Sequence, residues 1–321
     1  MRYWRIAILA VFFLTLAVAG KKKNPDDITQ TLELPKEPPT VAAGETSRLI
    51  FHVSPLSPKG LLSQQTRDAL KAILKANGGV QVVHIRAFVA GSGDLRRVPQ
   101  IVSEVFTDKK MQLPSVSVVQ AGGLRLENAQ VVLEAVSAGK KEVNPGGLMF
   151  VEGQPALSLE KSLDQLAVRL AGATALRVSC FVSAMNIPSD SAGLAARFPA
   201  AAVNLVQTQR APLRTEASCE AVARGGSAKA PRLAFTGTQV AFGADEKAAA
   251  LAFQRLDRDL GETGVTTSDI VATHIYPLSA RMGELARKVR STPGALTIVP
   301  FEGVASMEAS FAVDVVAGLS K

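Results

Sequence analysis

The sequence has few of the side chains on which most enzyme and nucleic-acid sites depend. Aromatic residues make up 5% of its 321 positions, with one Trp and two Tyr, so platforms for stacking bases or sugars would be sparse. The three histidines, His52, His84 and His274, show no metal-binding spacing, and we expect His84 and His274 to be packed or surface residues. No phosphate-cradling glycine loop and no G-x-S-x-G elbow occurs. We therefore predict no metal and no cofactor.

The net charge of +8 is concentrated near the N-terminus. Arg2, Arg5 and the lysines at 21–23 supply five of these charges, which leaves about +3 for the rest of the chain. A nucleic-acid binder needs a concentrated basic face, and this remainder has none. Nucleic acid is therefore excluded as a predicted partner.

Residues 1–20 have the layout of a secretory signal peptide, with a basic start, an apolar run and Ala17-Val18-Ala19 before the cleavage point. The apolar run is short for a membrane span, which needs about 20 residues. The three lysines that follow resist translocation. The segment is therefore either a cleaved signal peptide, which predicts a periplasmic or secreted protein, or an uncleaved membrane anchor. Residues 21–46, which are polar and contain proline, are predicted to be a linker.

Cysteine is also scarce. Cys180 and Cys219 lie in apolar, strand-like segments. They are either two small buried apolar side chains or, if the chain is exported, one disulfide.

One pattern occurs three times along the chain. The segments LEAVSA (133–138), CEAVAR (219–224) and VDVVAG (313–318) each follow a proline, Pro114, Pro199 and Pro293, by about twenty residues. An apolar strand precedes each proline: VVHIRAFV (82–89), ALRVSCFV (175–182) and DIVATHIY (269–276). With the amphipathic stretches between them, the pattern predicts the order β-α-β-α-β-β three times. We therefore predict an α+β protein with repeat units at 47–140, 146–226 and 230–321, each about the size of a small domain.

These units resemble the Rid (YjgF/YER057c/UK114) family of reactive-intermediate deaminases. The resemblance rests on FVEGQ (150–154) and FTGTQ (235–239), on the helix LLSQQTRDALKAILKANG (61–78), on FPAAAVNLV (198–206), and on EAVS and EAVA in the final strands. It covers about residues 46–320. It implies chorismate-mutase-like units that assemble as trimers with pockets between neighbours. This chain would then be a single-chain pseudo-trimer with three unequal clefts. The resemblance also places the segments of Cys180 and Cys219 side by side, so that they could pair.

The resemblance implies a site for imine hydrolysis in which an arginine two residues after the proline holds the substrate carboxylate. The matching positions here are Val116, Ala201 and Ala295, none of which can do so. Arg210 and Arg214 are the nearest candidates for a relocated arginine. Otherwise they are solvated charges in a turn.

The acid of the final strand is present in all three units, as Glu134, Glu220 and Asp314. In the family this carboxylate helps to place the hydrolytic water. Without a cationic partner, we expect it to be either solvated or buried, with a raised pKa and hydrogen bonds to the backbone. The binding turn is kept as Gly153-Gln154 and nearly so as Thr238-Gln239, whereas unit 1 has Ser54-Pro55. Proline removes a backbone donor, so we expect the cleft that uses this turn to be the most altered.

Three functions remain open. We predict an exported, degenerate pseudo-trimer that is monomeric and binds a small carboxylate, an imine-like ligand or an envelope protein. The alternative is a surviving imine or enamine deaminase, with Glu220, Arg214 and Arg210 as catalytic residues and with binding by Glu134, Asp314, Gly153, Gln154, Thr238 and Gln239. The third is a purely structural envelope protein anchored by residues 1–20.

Overall fold

The computed structural model describes residues 41–43, 49–91, 94–139, 148–208, 216–225 and 233–318. The predicted signal segment, most of the predicted linker, and both Arg210 and Arg214 lie outside these residues. Within the described ranges no helix is long and apolar enough to cross a membrane.

Three α+β units follow one another, as the repeats predict. Unit 1 is preceded by a short strand, β1 (Val41–Ala43), and consists of β2 (Leu49–Val53), α1 (Leu62–Ala76), β3 (Gln81–Ala90), α2 (Arg97–Asp108), β4 (Ser115–Ala121) and β5 (Val131–Ala138). Unit 2 consists of β6 (Leu148–Val151), α3 (Leu159–Leu170), β7 (Thr174–Val182), α4 (Ile187–Arg197), β8 (Ala202–Gln207) and β9 (Ala217–Arg224).

Unit 3 has the same order with two additional short strands. It consists of β10 (Leu233–Phe235), β11 (Gln239–Phe242), α5 (Glu246–Glu262), β12 (Ile270–Pro277), α6 (Ala280–Val289), β13 (Ala295–Ile298), β14 (Gly303–Val304) and β15 (Ala309–Gly318). A turn at 236–238 separates β10 from β11, and both strands pair with β15.

Local sequence sets several helix starts. Ser158 and Ser279 accept hydrogen bonds from the backbone N–H groups of Lys161 and Met282, and Asp245 accepts one from Ala248. Such caps satisfy donors that a helix cannot pair internally. Each helix then lays its apolar side on its own sheet, as Leu70 and Ile73 of α1 do in unit 1.

Each unit forms a sheet in the same strand order: first, last, second, third. The orders are β2-β5-β3-β4, β6-β9-β7-β8 and β10-β15-β12-β13. The second and third strands are parallel, which the intervening helix allows. Unit 2 is also tied to its neighbours, because β1 pairs with β6 at one edge of its sheet and β14 of unit 3 pairs with β8 at the other.

The register of the three sheets matches residue by residue. Against its final strand, each second strand has an irregularity at the same place, between Val82 and His84, Ala175 and Arg177, and Ile270 and Ala272. Beyond it, Arg86 lies opposite Glu134, Ser179 opposite Glu220, and His274 opposite Asp314. The three acids are therefore structurally equivalent.

Side chains alternate between the two faces of a strand, so each sheet has a second face turned away from its helices. These inner faces meet around a central axis in three layers. One outer layer holds Phe88, Phe181 and Tyr276, which occupy equivalent positions in the three units. The other holds apolar side chains such as Phe51, Phe150 and Val136. The layer between them is polar.

The two cysteines form a disulfide. Cys180 on β7 and Cys219 on β9 are directly opposite residues with Cα atoms 4.2 Å apart, and both are buried. Of the two alternatives left open by the sequence, the structure has the disulfide.

Replacing Cys180 and Cys219 together with alanine should destabilise the protein. The bond closes a segment with a sequence separation of 39 residues, for which the loss of chain entropy in the unfolded state amounts to roughly 4 kcal/mol. Denaturant unfolding of oxidised wild type and of the double variant measures the difference. A reductant should move the wild type, but not the variant, towards lower denaturant. Equal midpoints in oxidising buffer would contradict a stabilising role.

Candidate functional site

The polar layer at the axis is organised by Arg86 on β3. Its Nη1 donates to Glu134 Oε2 at 2.8 Å, and its Nε donates to Glu220 Oε1 at 2.8 Å. Glu134 belongs to the same unit and Glu220 to the next, so one guanidinium joins two units. The guanidinium also lies 5.9 Å from the ring centre of Phe88 and 5.8 Å from that of Phe181, which adds cation–π attraction.

Arg177 on β7 makes the second ion pair of the layer. Its Nη2 lies 2.8 Å from Asp314 Oδ1, and His274 Nδ1 lies 2.7 Å from the same oxygen. Asn204 Nδ2 donates to the other oxygen, Oδ2, at 3.0 Å. Asp314 is fully buried, and its carboxylate therefore has partners from units 2 and 3.

These contacts fix the ionisation of the acids. Burial alone would raise the pKa of Glu220, but Arg86, and after it His84, outweigh burial and lower it to about 2. Burial likewise opposes ionisation of Asp314, yet Arg177 and His274 lower its pKa. Burial lowers the pKa of His84 to about 4, so this imidazole is neutral at pH 7. Two of the three equivalent carboxylates are thus held as partnered anions.

The expectation that the acids lack a cationic partner is wrong. It rested on the missing arginine of the third strand, whereas the cations come from the second strands of units 1 and 2. Glu220 and Asp314 are not protonated acids with hydrogen bonds to the backbone. Each is paired with a guanidinium within a buried layer. His84 and His274 are packed, as expected, but within this polar layer.

The position of the missing arginine also needs correction. In the parallel ladders, the equivalent residues His84, Arg177 and Ala272 pair with Ser115, Ala202 and Ala295. The next residues of the third strands, Val116, Val203 and Leu296, are therefore equivalent to one another. Ala201 and Ala295 are therefore displaced from the position of Val116, because the loop between the proline and the strand differs in length. This change of alignment does not restore the arginine, because none of the three third strands contains one. Strands β4, β8 and β13 read SVSVVQA, AVNLVQ and ALTI.

Three equivalent junctions between neighbouring units are called clefts A, B and C. Each is formed by a polar residue of a third strand and by the first-strand turn and acid of the next unit. Cleft A joins units 1 and 2, cleft B joins units 2 and 3, and cleft C joins units 3 and 1. The three sets, in that order, are Ser117 with Gly153 and Glu220, Asn204 with Thr238 and Asp314, and Thr297 with Ser54 and Glu134.

Clefts A and B are bridged by hydrogen bonds. In cleft A, Gly153 N donates to Ser117 Oγ at 2.9 Å, and a Cβ at Gly153 would lie 2.5 Å from Ser218 Oγ, so the turn needs glycine. In cleft B, Thr238 Oγ1 donates to Asn204 Oδ1 at 2.7 Å, and Asn204 in turn bonds Asp314. A ligand in either cleft would have to break these contacts.

Cleft C is open. Its volume is about 480 Å³, within the usual range for small-molecule sites. Ser54 bonds within its own unit, since its Oγ accepts from Leu133 N at 2.9 Å. Thr297, one arginine (Arg125) and several apolar side chains line the space. The apolar side chains are those of Val53, Pro55, Leu56, Leu126, Val132, Leu296 and Ile298. The predicted alteration at Ser54-Pro55 coincides with this open cleft.

The structure places the remaining predicted site residues as follows. Gln154 donates to Glu152 Oε1 at 2.8 Å, and Gln239 donates to Asp259 Oδ2 at 2.5 Å, so both bond within their own units. Among the described residues no group of acids, cysteines and histidines could hold a metal ion. The residues missed by sequence reasoning are Arg86 and Arg177. The available signal was a charged residue inside an otherwise apolar strand.

The crystal structure of chorismatase matches most of the chain. It covers 87% of this chain and 100% of that protein, at 8% identity and a TM-score of 0.50. The fold of this chain is chorismatase-like. The predicted pseudo-trimeric α+β architecture is thereby confirmed as a fold.

Shorter matches include members of the YjgF family. One from Mycobacterium tuberculosis and one from Neisseria meningitidis are each 19% identical, each cover 29% of this chain, and cover 83% and 85% of their own lengths, with TM-scores of 0.25. Each match spans about one unit. No family model matches the sequence, and neither does a curated protein.

Acid should destabilise the protein in two steps. A group whose pKa is lowered by folding stabilises the protein above its unfolded pKa and loses that contribution as pH falls towards the folded value. For His84 this range runs from 6.5 to about 4, and for Glu220 from 4.5 to about 2. Urea unfolding across this range should show stability falling below pH 6.5 and again below pH 4.5. In His84→Gln the first step should be smaller, because burial also lowers the pKa of His52, and the second step should be retained. An unchanged first step in that variant would rule out His84 as its source.

Proposed function

We propose that this chain is an exported binding protein that takes a small carboxylate with an apolar body in cleft C. The observation that carries the proposal is the contrast between the clefts. Hydrogen bonds bridge clefts A and B, whereas cleft C offers about 480 Å³ lined mainly by apolar groups.

Arg125 supplies the charge selectivity of this proposal. Its guanidinium is 46% exposed and lies 3.4 Å from Glu284 Oε1, whose side chain is 45% exposed. An exposed pair of this kind contributes about 0–1 kcal/mol, so a ligand carboxylate can replace Glu284 at small cost. The apolar walls of cleft C would then hold the body of the ligand.

Imine hydrolysis is the weaker alternative. Glu220 and Asp314 are ion-paired anions, and no arginine occupies the third strands. A carboxylate already bonded to a guanidinium is a poor proton acceptor, because proton transfer is efficient when the pKa lies near the working pH. Without an anchor for the substrate, the positioning contribution is lost as well.

Export is supported by two independent features. Residues 1–20 read as a signal peptide or an anchor, and Cys180 and Cys219 are paired. Disulfides persist in oxidising compartments. We propose a periplasmic or secreted location. The protein would be a monomeric pseudo-trimer there, and its N-terminus would be either free or anchored to the membrane.

Titration of the purified protein with benzoate, phenylacetate and benzamide tests the cleft. Both carboxylates should bind, while benzamide, which is uncharged, should bind more weakly. Arg125→Gln should weaken carboxylate binding about tenfold, the effect of losing one charge-assisted hydrogen bond, and leave benzamide unchanged. Leu126→Trp should fill the cleft and abolish all binding.

Arg96→Gln is the matched control, because Arg96 is 88% exposed and does not line the cleft. It should bind like the wild type. If Arg125→Gln binds both carboxylates as tightly as the wild type, cleft C is not the site proposed.

The enzymatic alternative is tested with 2-iminopropionate, generated by an amino-acid oxidase and trapped with semicarbazide. We expect the protein to leave the lifetime of the imine unchanged. Faster imine loss than in a protein-free control would favour hydrolysis. Glu220→Gln, Arg210→Gln and Arg214→Gln would then identify the residues responsible.

A further inference from the structure

The polar layer at the axis encloses a small cavity, which shares Val53 and Thr297 with the lining of cleft C. Its volume is about 50 Å³, enough for a few groups the size of water. Three phenylalanines at equivalent positions, Phe51, Phe150 and Phe235, line its apolar part, each opposite a valine of the final strand. The polar part is lined by Arg86, Arg177, His84, His274, Glu134 and Glu220, together with His52 and Thr297.

Two carboxylate oxygens in this cavity accept no hydrogen bond from the described residues. They are Glu134 Oε1 and Glu220 Oε2, on residues that are 8% and 5% exposed. The other oxygen of each group is bonded to Arg86. A buried carboxylate oxygen without a donor is costly, so the cavity calls for a ligand that donates hydrogen bonds.

Each of these oxygens faces an imidazole nitrogen. Glu220 Oε2 lies 3.8 Å from His84 Nε2, and Glu134 Oε1 lies 3.6 Å from His274 Nε2. Both distances exceed a direct hydrogen bond.

The rings of His84 and His274 are held through their other nitrogen. His84 Nδ1 lies 2.9 Å from Ser115 Oγ, and His274 Nδ1 lies 2.7 Å from Asp314 Oδ1. The acceptors that the cavity offers without a partner are therefore the two carboxylate oxygens.

The charge of the layer favours a cation. Three carboxylates, Glu134, Glu220 and Asp314, face the two guanidiniums of Arg86 and Arg177. The carboxylates therefore outnumber the guanidiniums by one charge in a buried environment, where an uncompensated charge is expensive. Its aromatic wall is also favourable to a cation.

We propose that the axial cavity is a binding site for the ammonium ion, or for a primary ammonium group no larger than methylammonium. Ammonium carries one positive charge and four N–H donors on an ion the size of a water molecule. It would balance the excess carboxylate charge and donate to Glu134 Oε1 and Glu220 Oε2. Arg86 and Arg177 already bond the remaining carboxylate oxygens, so an anion would find no favourable place there.

Thermal unfolding of the full-length chain in ammonium, potassium or tetramethylammonium chloride at equal ionic strength tests this site. Potassium matches ammonium in size and charge but has no N–H donors, and tetramethylammonium has no donors and is too large. We expect ammonium, and more weakly methylammonium, to raise the unfolding temperature above that in the other two salts. Equal temperatures in ammonium and potassium would overturn the proposal and leave water as the occupant.

Glu134→Gln tests which residues are involved. Its amide oxygen can still accept from Arg86, and its NH₂ group then points into the cavity as a donor. We expect ammonium to bind this variant at least about tenfold more weakly. Glu262→Gln, at an exposed position of α5, is the control and should bind ammonium like the wild type.

A second measurement covers the case in which Glu134→Gln is too unstable to study. ¹⁵N-labelled ammonium held in a buried site should give proton signals protected from exchange with water. Such signals should be present in the wild type and absent in Val136→Phe, which fills the apolar part of the cavity beside Phe51. Protected signals of equal intensity in the two proteins would contradict this location.

Discussion

The arrangement of the three units depends on the guanidinium of Arg86. It binds Glu134 of its own unit and Glu220 of the next, in a buried layer. Removing one member of a buried ion pair costs roughly 3–5 kcal/mol, even where the intact pair adds little net stability. The constraint is therefore mainly geometric: these ions are all partnered when the units stand in the observed order around the axis.

This constraint also explains why one chain differs from three identical ones. The position occupied by Arg86 in unit 1 holds Ser179 in unit 2 and His274 in unit 3. A symmetric trimer would repeat one residue three times around the axis, and three arginines there would repel one another. In a fused chain each unit contributes a different part of one network. The same divergence removes free carboxylates from the clefts, because Glu220 and Asp314 serve the axis instead.

Much of the fold could be predicted, because it follows from local pattern. Strand alternation, helix periodicity and the repeated final strand gave the three units and showed that Glu134, Glu220 and Asp314 are equivalent. The ion pairs could not be read in this way, since Arg86 and Glu220 are 134 residues apart. Counting two residues from each proline also aligned Ala201 and Ala295 wrongly with Val116. Strand pairing decides which residues are equivalent, and the loop between the proline and the strand differs in length among the units. The N-terminal segment stays a prediction.

The difference among the clefts follows from single residues in equivalent turns. Gly153 offers a backbone donor and Thr238 a hydroxyl, and each bonds a polar side chain of the preceding unit. At the same place in unit 1, the hydroxyl of Ser54 is used by Leu133 N, and Pro55 has no N–H to offer. Nothing in this turn then closes cleft C over Thr297. The open cleft is thus a consequence of sequence divergence among the three units. The turn residues of units 2 and 3 form hydrogen bonds across clefts A and B, whereas Ser54 forms its hydrogen bond within unit 1. A ligand therefore has the fewest protein contacts to displace in cleft C.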